Sequence, residues 1–493
     1  MPRGPRGAGG ETGSSRTAER ARPVVEGGGD PRRRVRPWIR SLLGSTVKRL
    51  FPVLLLAGAV AIVYLNSFRG VFQFDDYNVI VDNGGVHTWG AFLAGLPRGI
   101  RPLLKFTYTL NWTWGMGLFG FHLVNVMLHA ANAVMLFFLA SRIGGPSVSR
   151  FAALLPALLF AVHPVQTEVV TYISGRSVSL MAFFYLGSIL VYLRGRERGS
   201  PFLLYLTSPI LFLLAAASKE VALTLPFALV LCDAVRRERT GWKETIRAQA
   251  VHWGLLAALA VFFLAHAGYG RLIEACFEIR SASANLFTQI HGIGYLLSRL
   301  VMPHALDIDP DLPVFSGGSP VLLPEALLLA ALLGAGIIGM KKRSLAGFGI
   351  LWFFLHLVPT NSFIPRLDVA NDRQLYLASW GLFLAVAAGA DLLREKRGAR
   401  WITAVAVVLV VALGALTVSR NTAYRSEVAL WEDTVRKSPG KARGWNNLGY
   451  AYQQAGRFRD AEVAYLRALR VDPGYALARE NLRGLKARSD SAR

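Results

Sequence analysis

Between residues 50 and 419 the chain alternates long apolar runs with short polar connections. Runs of roughly 16 to 21 residues cross about 30 Å of hydrocarbon as α-helices, because a helix satisfies its backbone polar groups internally. Eleven such runs stand at 50–66, 121–141, 150–166, 178–193, 201–217, 219–235, 250–268, 321–340, 345–360, 374–393 and 401–419. A twelfth stretch, 286–301, carries Gln289, His291 and Arg299 and reads as a helix lying in the interface. After Thr417 the pattern becomes polar and amphipathic.

That tail has a period. Residues 442–475 follow the 34-residue tetratricopeptide pattern, with Trp445, Leu448, Gly449 and Tyr452 on one helix, Ala461, Tyr465 and Ala468 on the next, and Pro473 closing the unit. Gly449 and Ala461 are small where the two helices cross. Trp431 and Pro439 precede Tyr465 and Pro473 by one period, and Leu482 follows Leu448 by one, so half-repeats flank the full one. The predicted fold class is all-α: a polytopic membrane protein of about 11 transmembrane helices with a C-terminal helical repeat. Its predicted domains are 1–49, a disordered basic cytoplasmic arm; 50–419, the transmembrane domain; and 420–493, the repeat on the non-cytoplasmic side. The repeat reads either as a packed cap or as a docking surface for a polypeptide.

Composition agrees with the pattern. Only 17% of the 493 residues are charged and the mean hydropathy is +0.37, which excludes a single soluble enzyme. The net charge of +24 invites a nucleic-acid reading, but the charge is sorted. Residues 1–49 hold twelve Arg and Lys against four Asp and Glu. Further clusters occupy alternate connections: Arg194/Arg196/Arg198, Arg236/Arg237/Arg239, Lys341/Lys342/Arg343 and Arg394/Lys396/Arg397. The positive-inside rule then puts the N-terminus in the cytoplasm and the C-terminus outside, and no nucleic-acid partner is expected. The Arg, Ala and Gly bias points to a bacterial inner membrane with a periplasmic outer face. Two cysteines, Cys232 and Cys276, fall on opposite faces and build no disulfide framework. No acid lies near the middle of any run, which argues against an ion-coupled transporter.

The unusual polar residues collect at the outer ends of the runs. Asp75 and Asp76, flanked by Phe74 and Tyr77, suit a general base and its partner; they also admit a divalent metal, and the competing reading is a solvated turn. His163 before Pro164 is a ligand or a helix-end histidine, and Glu168 and Arg176 bracket the next outer loop. Lys219 pairs with Glu220, snorkels, or meets a lipid phosphate. The segment from Pro359 through Arg366 leads to Asp372 and Arg373 at a helix start, a seat for an anionic phosphate; the competing reading is interfacial anchoring, with Tyr376 in an aromatic belt. An acid pair, cations and a membrane groove together suit chemistry on a lipid-linked phosphate.

At these residues the chain resembles the transmembrane-and-tetratricopeptide O-mannosyltransferase-like proteins of the glycosyltransferase C superfamily. The resemblance covers about residues 50–475. It rests on Phe74-Asp75-Asp76-Tyr77, on Phe121-His122-Leu123-Val124-Asn125 with His129, and on His163-Pro164 with Glu168 and Gly175-Arg176-Ser177. It continues through Ser218-Lys219-Glu220 and Asp372-Arg373-Gln374-Leu375-Tyr376. It implies an inverting transferase that moves a mannose-like sugar from a polyprenyl-phosphate carrier to a protein or glycan hydroxyl at the outer face. Asp75 and Asp76 would be catalytic; His163, Glu168, Arg176, Lys219, Glu220, Asp372 and Arg373 would bind substrate. No cofactor is required, and a metal, if any, would sit at Asp75 and Asp76. Expected partners are the lipid-linked donor, the acceptor, membrane lipids and a protein at the repeat. The departures are Asp372-Arg373-Gln374-Leu375-Tyr376 where family members often read Glu-Arg-Tyr-Leu-Tyr, and a shorter repeat array. The alternatives are a non-enzymatic scaffold using the repeat, or a lipid-saccharide transporter.

Overall fold

The computed structural model describes residues 50–97, 99–236 and 241–491. The basic arm expected over 1–49 lies outside the described residues, as do Arg237 and Arg239. The described chain is helical and holds no strand, since apolar runs in lipid must close their hydrogen bonds within themselves. In chain order the helices are α1 (Leu50–Arg69), α2 (Trp89–Gly95), α3 (Pro102–Trp114), α4 (Gly117–Gly144), α5 (Arg150–Val162) and α6 (Arg176–Arg198). Then come α7 (Leu203–Ala216), α8 (Leu225–Val235), α9 (Trp242–Ala265), α10 (Ala267–Ile279), α11 (Ala282–Val301), α12 (Leu323–Lys341) and α13 (Leu345–Leu357). Two more long helices, α14 (Leu375–Arg397) and α15 (Ala399–Asn421), lead to α16 (Glu427–Lys437), α17 (Ala442–Gln454), α18 (Phe458–Val471) and α19 (Ala476–Ser491).

Every expected apolar run is helical, but the runs differ in length. Among the described residues seven helices are long and apolar enough to cross a membrane: α1, α4, α6, α9, α12, α14 and α15. An eighth is a bent pair, α5 with Pro164–Val170, turned by 54°. The bend has a chemical cause. Pro164 has no N–H to continue the ladder, and His163 Nδ1 caps the next turn by accepting from the N–H of Val165 at 3.2 Å. Against the expected eleven, the runs at 201–217, 219–235 and 345–360 yield α7, α8 and α13, each under 18 residues. The 13 residues of α13 rise only about 20 Å. The stretch at 286–301 falls within α11, which is not among the membrane-crossing helices.

Two small residues set the tightest helix crossing. A Cβ added to Gly349 of α13 would lie 2.1 Å from the carbonyl oxygen of Gly381 on α14, so only glycine lets these backbones meet. Trp352 Nε1 spans the same seam to the carbonyl of Leu377 at 2.8 Å. Ion pairs sit at the helix ends. At one end Arg196 lies 3.2 Å from Asp233 and Arg394 2.9 Å from Asp391. At the other, Arg101 meets Glu220 at 2.9 Å.

The repeat is mounted on that second end. Leu430, Trp431, Val435, Leu448, Ala451 and Ala464 form one apolar cluster with Tyr172 and Ile308 of the loops beneath. A polar seam surrounds it. Asp309 is held by Lys441 and Arg443, and Arg443 also reaches Asp368. The hydroxyl of Ser438 donates to Asp307 at 2.6 Å, and Asp433 pairs with Arg420 and Lys437. The repeat is thus packed onto these loops through an apolar cluster and a polar seam.

Candidate functional site

Three polar segments converge over the helix ends: the loop after α1, the bend between α5 and α6, and the lead into α14. The first is shaped by Phe74, whose φ of 47° puts a non-glycine residue in the left-handed region. Its ring packs edge-on against Trp431 of the repeat at 5.3 Å, and its N–H donates to Glu427 at 3.3 Å. The repeat therefore clamps the turn that presents the acid pair.

The two acids have different surroundings. Asp76 is fully buried, and its two carboxylate oxygens accept the N–H groups of Gln73 at 3.0 Å and Ser174 at 2.7 Å. Burial pushes the Asp76 carboxyl up to about 7 against the pull of those donors. Asp76 thus ties the first segment to the second. The Asp75 side chain is 40% exposed, with Oδ2 3.9 Å from Arg373 Nη1. Its backbone N–H donates to the hydroxyl of Tyr172 at 2.9 Å, which fixes the carboxylate at the edge of the site.

Arg373 is held from behind. Glu168 Oε2 accepts its backbone N–H at 2.9 Å, and Glu168 Oε1 lies 3.4 Å from its Nε. Glu168 therefore orients the guanidinium toward Asp75. Asp372 is buried alongside. Glu220 does not pair with Lys219: Arg101 takes it in a bidentate pair, Nε to Oε1 and Nη2 to Oε2, both at 2.9 Å. Arg101 is poised for this by a left-handed φ of 52° before Pro102.

Lys219 instead lines a narrow cleft together with Arg366, Arg373, Asn371, His356 and Tyr376. Val178, Met181, Val221 and Leu377 add apolar walls. Among the described residues the side chains of Lys219 and Arg366 make no hydrogen bond or ion pair. Burial and the neighbouring charges of Arg101, Arg373 and Arg366 hold the Lys219 ammonium well below its ordinary range. An apolar slot rimmed by unneutralised cations suits an amphiphile with an anionic head.

Asp75, Glu168, Lys219, Glu220, Asp372 and Arg373 thus meet in one region. His163 and Arg176 are enclosed beside it. His163 caps the bend and shares its other nitrogen with the carbonyl of Leu300 at 3.2 Å. Arg176 is fully buried, donating to Asn125 Oδ1 at 2.8 Å and to the carbonyl of Phe121 at 2.9 Å. Asn125 from the Phe-His-Leu-Val-Asn segment is therefore a brace. Tyr376 is no interfacial anchor: it is buried, and its hydroxyl meets His129 Nδ1 at 2.9 Å and Asn132 at 3.1 Å. Sequence reasoning gave Arg101 and Arg366 no role. An arginine before a proline that starts a helix is the one local cue for Arg101, and Arg366 has none.

The donors present fit a resident divalent metal poorly. Such an ion wants several oxygen ligands, yet each Asp76 oxygen already accepts an N–H group, and of the two adjacent acids only Asp75 is exposed. Among the described residues no group of three or more His, Cys, Asp or Glu is arranged to hold a metal.

Comparison with known proteins supports the resemblance. Residues 442–475 match the tetratricopeptide repeat family. The Caenorhabditis elegans protein O-mannosyl-transferase F38B6.6 is 26% identical over 449 residues, covering 86% of this chain and 63% of the relative. Mouse protein O-mannosyl-transferase TMTC3 is 25% identical, covering 85% of this chain and 51% of its own. Human TMTC4 reaches 35% identity over 31% of this chain and 24% of its own. The chain thus spans between half and two thirds of the length of the first two relatives. Among solved structures, the Archaeoglobus fulgidus oligosaccharyltransferase tethered with an acceptor peptide aligns at a TM-score of 0.43 with 15% identity, covering 85% of this chain and 59% of that one. The chain is an all-helical membrane protein with a tetratricopeptide repeat, and its homologues are TMTC-type protein O-mannosyl-transferases.

Proposed function

We propose that the chain is a membrane glycosyltransferase that moves a hexose, mannose first, from a polyprenyl-phosphate carrier to a hydroxyl on a protein acceptor. The observation that carries this is one open carboxylate, Asp75, facing Arg373 at 3.9 Å beside an apolar cleft rimmed by Lys219 and Arg366. The names of the relatives support the sugar and the acceptor class. The arginine-rich connections at the opposite helix ends support a non-cytoplasmic placement of the acidic loop.

In this reading the carrier's chain follows the apolar side of the cleft and its phosphate meets Lys219, Arg366 and Arg373. Asp75 accepts the proton of the acceptor hydroxyl as general base. The oxygen attacks the anomeric carbon opposite the phosphate, so the sugar inverts. The cations stabilise the charge that grows on the leaving phosphate, which is where electrostatic help lowers the barrier. Asp76 keeps the loop in place.

The test is transfer of labelled mannose from polyprenyl-phosphate mannose to a Ser/Thr peptide, with the full chain in vesicles. Asp75→Asn is expected to lower the rate by about 10²–10⁴-fold while the thermal midpoint stays unchanged. Undiminished transfer by this variant would remove Asp75 from the chemistry, and no transfer by the unmodified chain would sink the reading.

A further inference from the structure

The charges around the cleft divide into two sets. Arg101 is neutralised by Glu220, and Arg373 faces Glu168 and Asp75. Lys219 and Arg366 have no such partner among the described residues. Lys219 comes from the connection between α7 and α8 and faces Arg101 from the start of α3, and Arg366 and Arg373 from the lead into α14. Its neighbour Glu220 is an acid whose charge acts on it, and that acid is committed to Arg101. His356 and Tyr376 complete the polar wall. Four cations this close repel one another, and the one that can shed its charge is the lysine, since guanidinium does not deprotonate in proteins.

This arrangement bears on the transfer step, and the inference rests on the function proposed above. As the acceptor oxygen–carbon bond forms, the carbon–oxygen bond to phosphate breaks and its electron pair stays on the phosphate. The acceptor's proton goes to Asp75 and from there to solvent. The phosphate changes from a diester with one negative charge to a monoester with two. Arg366 matches the first charge.

We propose that Lys219 answers the second: with Arg366 it reads a dianionic phosphate monoester, taking up one proton from solvent as that group forms or binds. The cleft therefore favours the leaving group over the donor. That is the ordering differential binding needs, because an interaction made only as charge develops accelerates the step. The same preference makes the spent carrier a product inhibitor.

The experiment is calorimetric titration of the full chain in nanodiscs at pH 8. The ligands are farnesyl phosphate, its monoanionic methyl ester, and inorganic phosphate. Farnesyl phosphate is expected to bind at least tenfold tighter than the methyl ester. Its heats in two buffers of different ionisation enthalpy should reveal uptake of more than half a proton. Inorganic phosphate, the same head without a chain, should bind more weakly than farnesyl phosphate. Lys219→Arg, which keeps the charge, should retain the preference and lose the proton uptake; Lys219→Gln should lose both. Equal affinity for monoester and methyl ester, or undiminished uptake by Lys219→Arg, overturns the proposal even where transfer activity is present. Failure of every lipid phosphate to bind would instead overturn the function on which it rests.

Discussion

The repeat mount and the cleft are both rich in charge, lie on the same end of the molecule, and are built by opposite rules. In the mount each cation has an acid: Lys441 and Arg443 hold Asp309, Arg443 extends to Asp368, and Arg420 and Lys437 share Asp433. In the cleft Lys219 and Arg366 have none among the described residues. A buried charge is costly unless paired. Complete pairing marks charge used to hold the protein together, and a deficit of acid marks charge kept for something that arrives from outside.

Four changes test that division. The largest effect is expected of Asp309→Ala, which strands Lys441 and leaves Arg443 with Asp368 alone in a partly covered seam, and should cost about 3 kcal/mol. It would be read as an early melting of the repeat with farnesyl phosphate binding intact. Lost phosphate binding at an unchanged midpoint would break the comparison. Arg366→Ala should do the converse, weakening phosphate binding by about 1.5–3 kcal/mol, the range for a hydrogen bond to a charged group. Its melting temperature should hold or rise, because a like charge has left the cleft.

The third concerns Asp76. Its carboxyl is raised from 3.8 to about 7 in the fold, so between those values the native state holds a proton the unfolded chain has lost. Stability should then fall as pH rises from about 4 to about 7 and level off above, with a slope of at most ~1.4 kcal/mol per pH unit. Asp76→Asn should flatten that profile, and an unchanged slope in this variant would assign it to another group. The smallest effect belongs to Lys437→Met. Its pair with Asp433 is an i,i+4 contact in which Arg420 also takes part, so the change should stay within about 0.5 kcal/mol. A loss as large as that of Asp309→Ala would show that pairing does not rank these charges.

Much of this protein was legible in its sequence. The apolar runs became helices, the period of the tail became the repeat with Gly449 against Tyr465, and most of the unusual polar residues at the ends of the runs did converge. Those are local properties: helix formation in lipid depends on length and hydropathy, and a repeat writes its packing into its own spacing. The sequence offered Asp75 and Asp76 as equals, placed Lys219 beside Glu220, and listed Arg176 and His163 with the substrate residues. Only tertiary structure separated them. The N–H groups that claim Asp76, the arginine that takes Glu220 from 119 positions away and the oxygens that enclose Arg176 all come from other segments. Which charge is spent and which is free is decided by what folds against it.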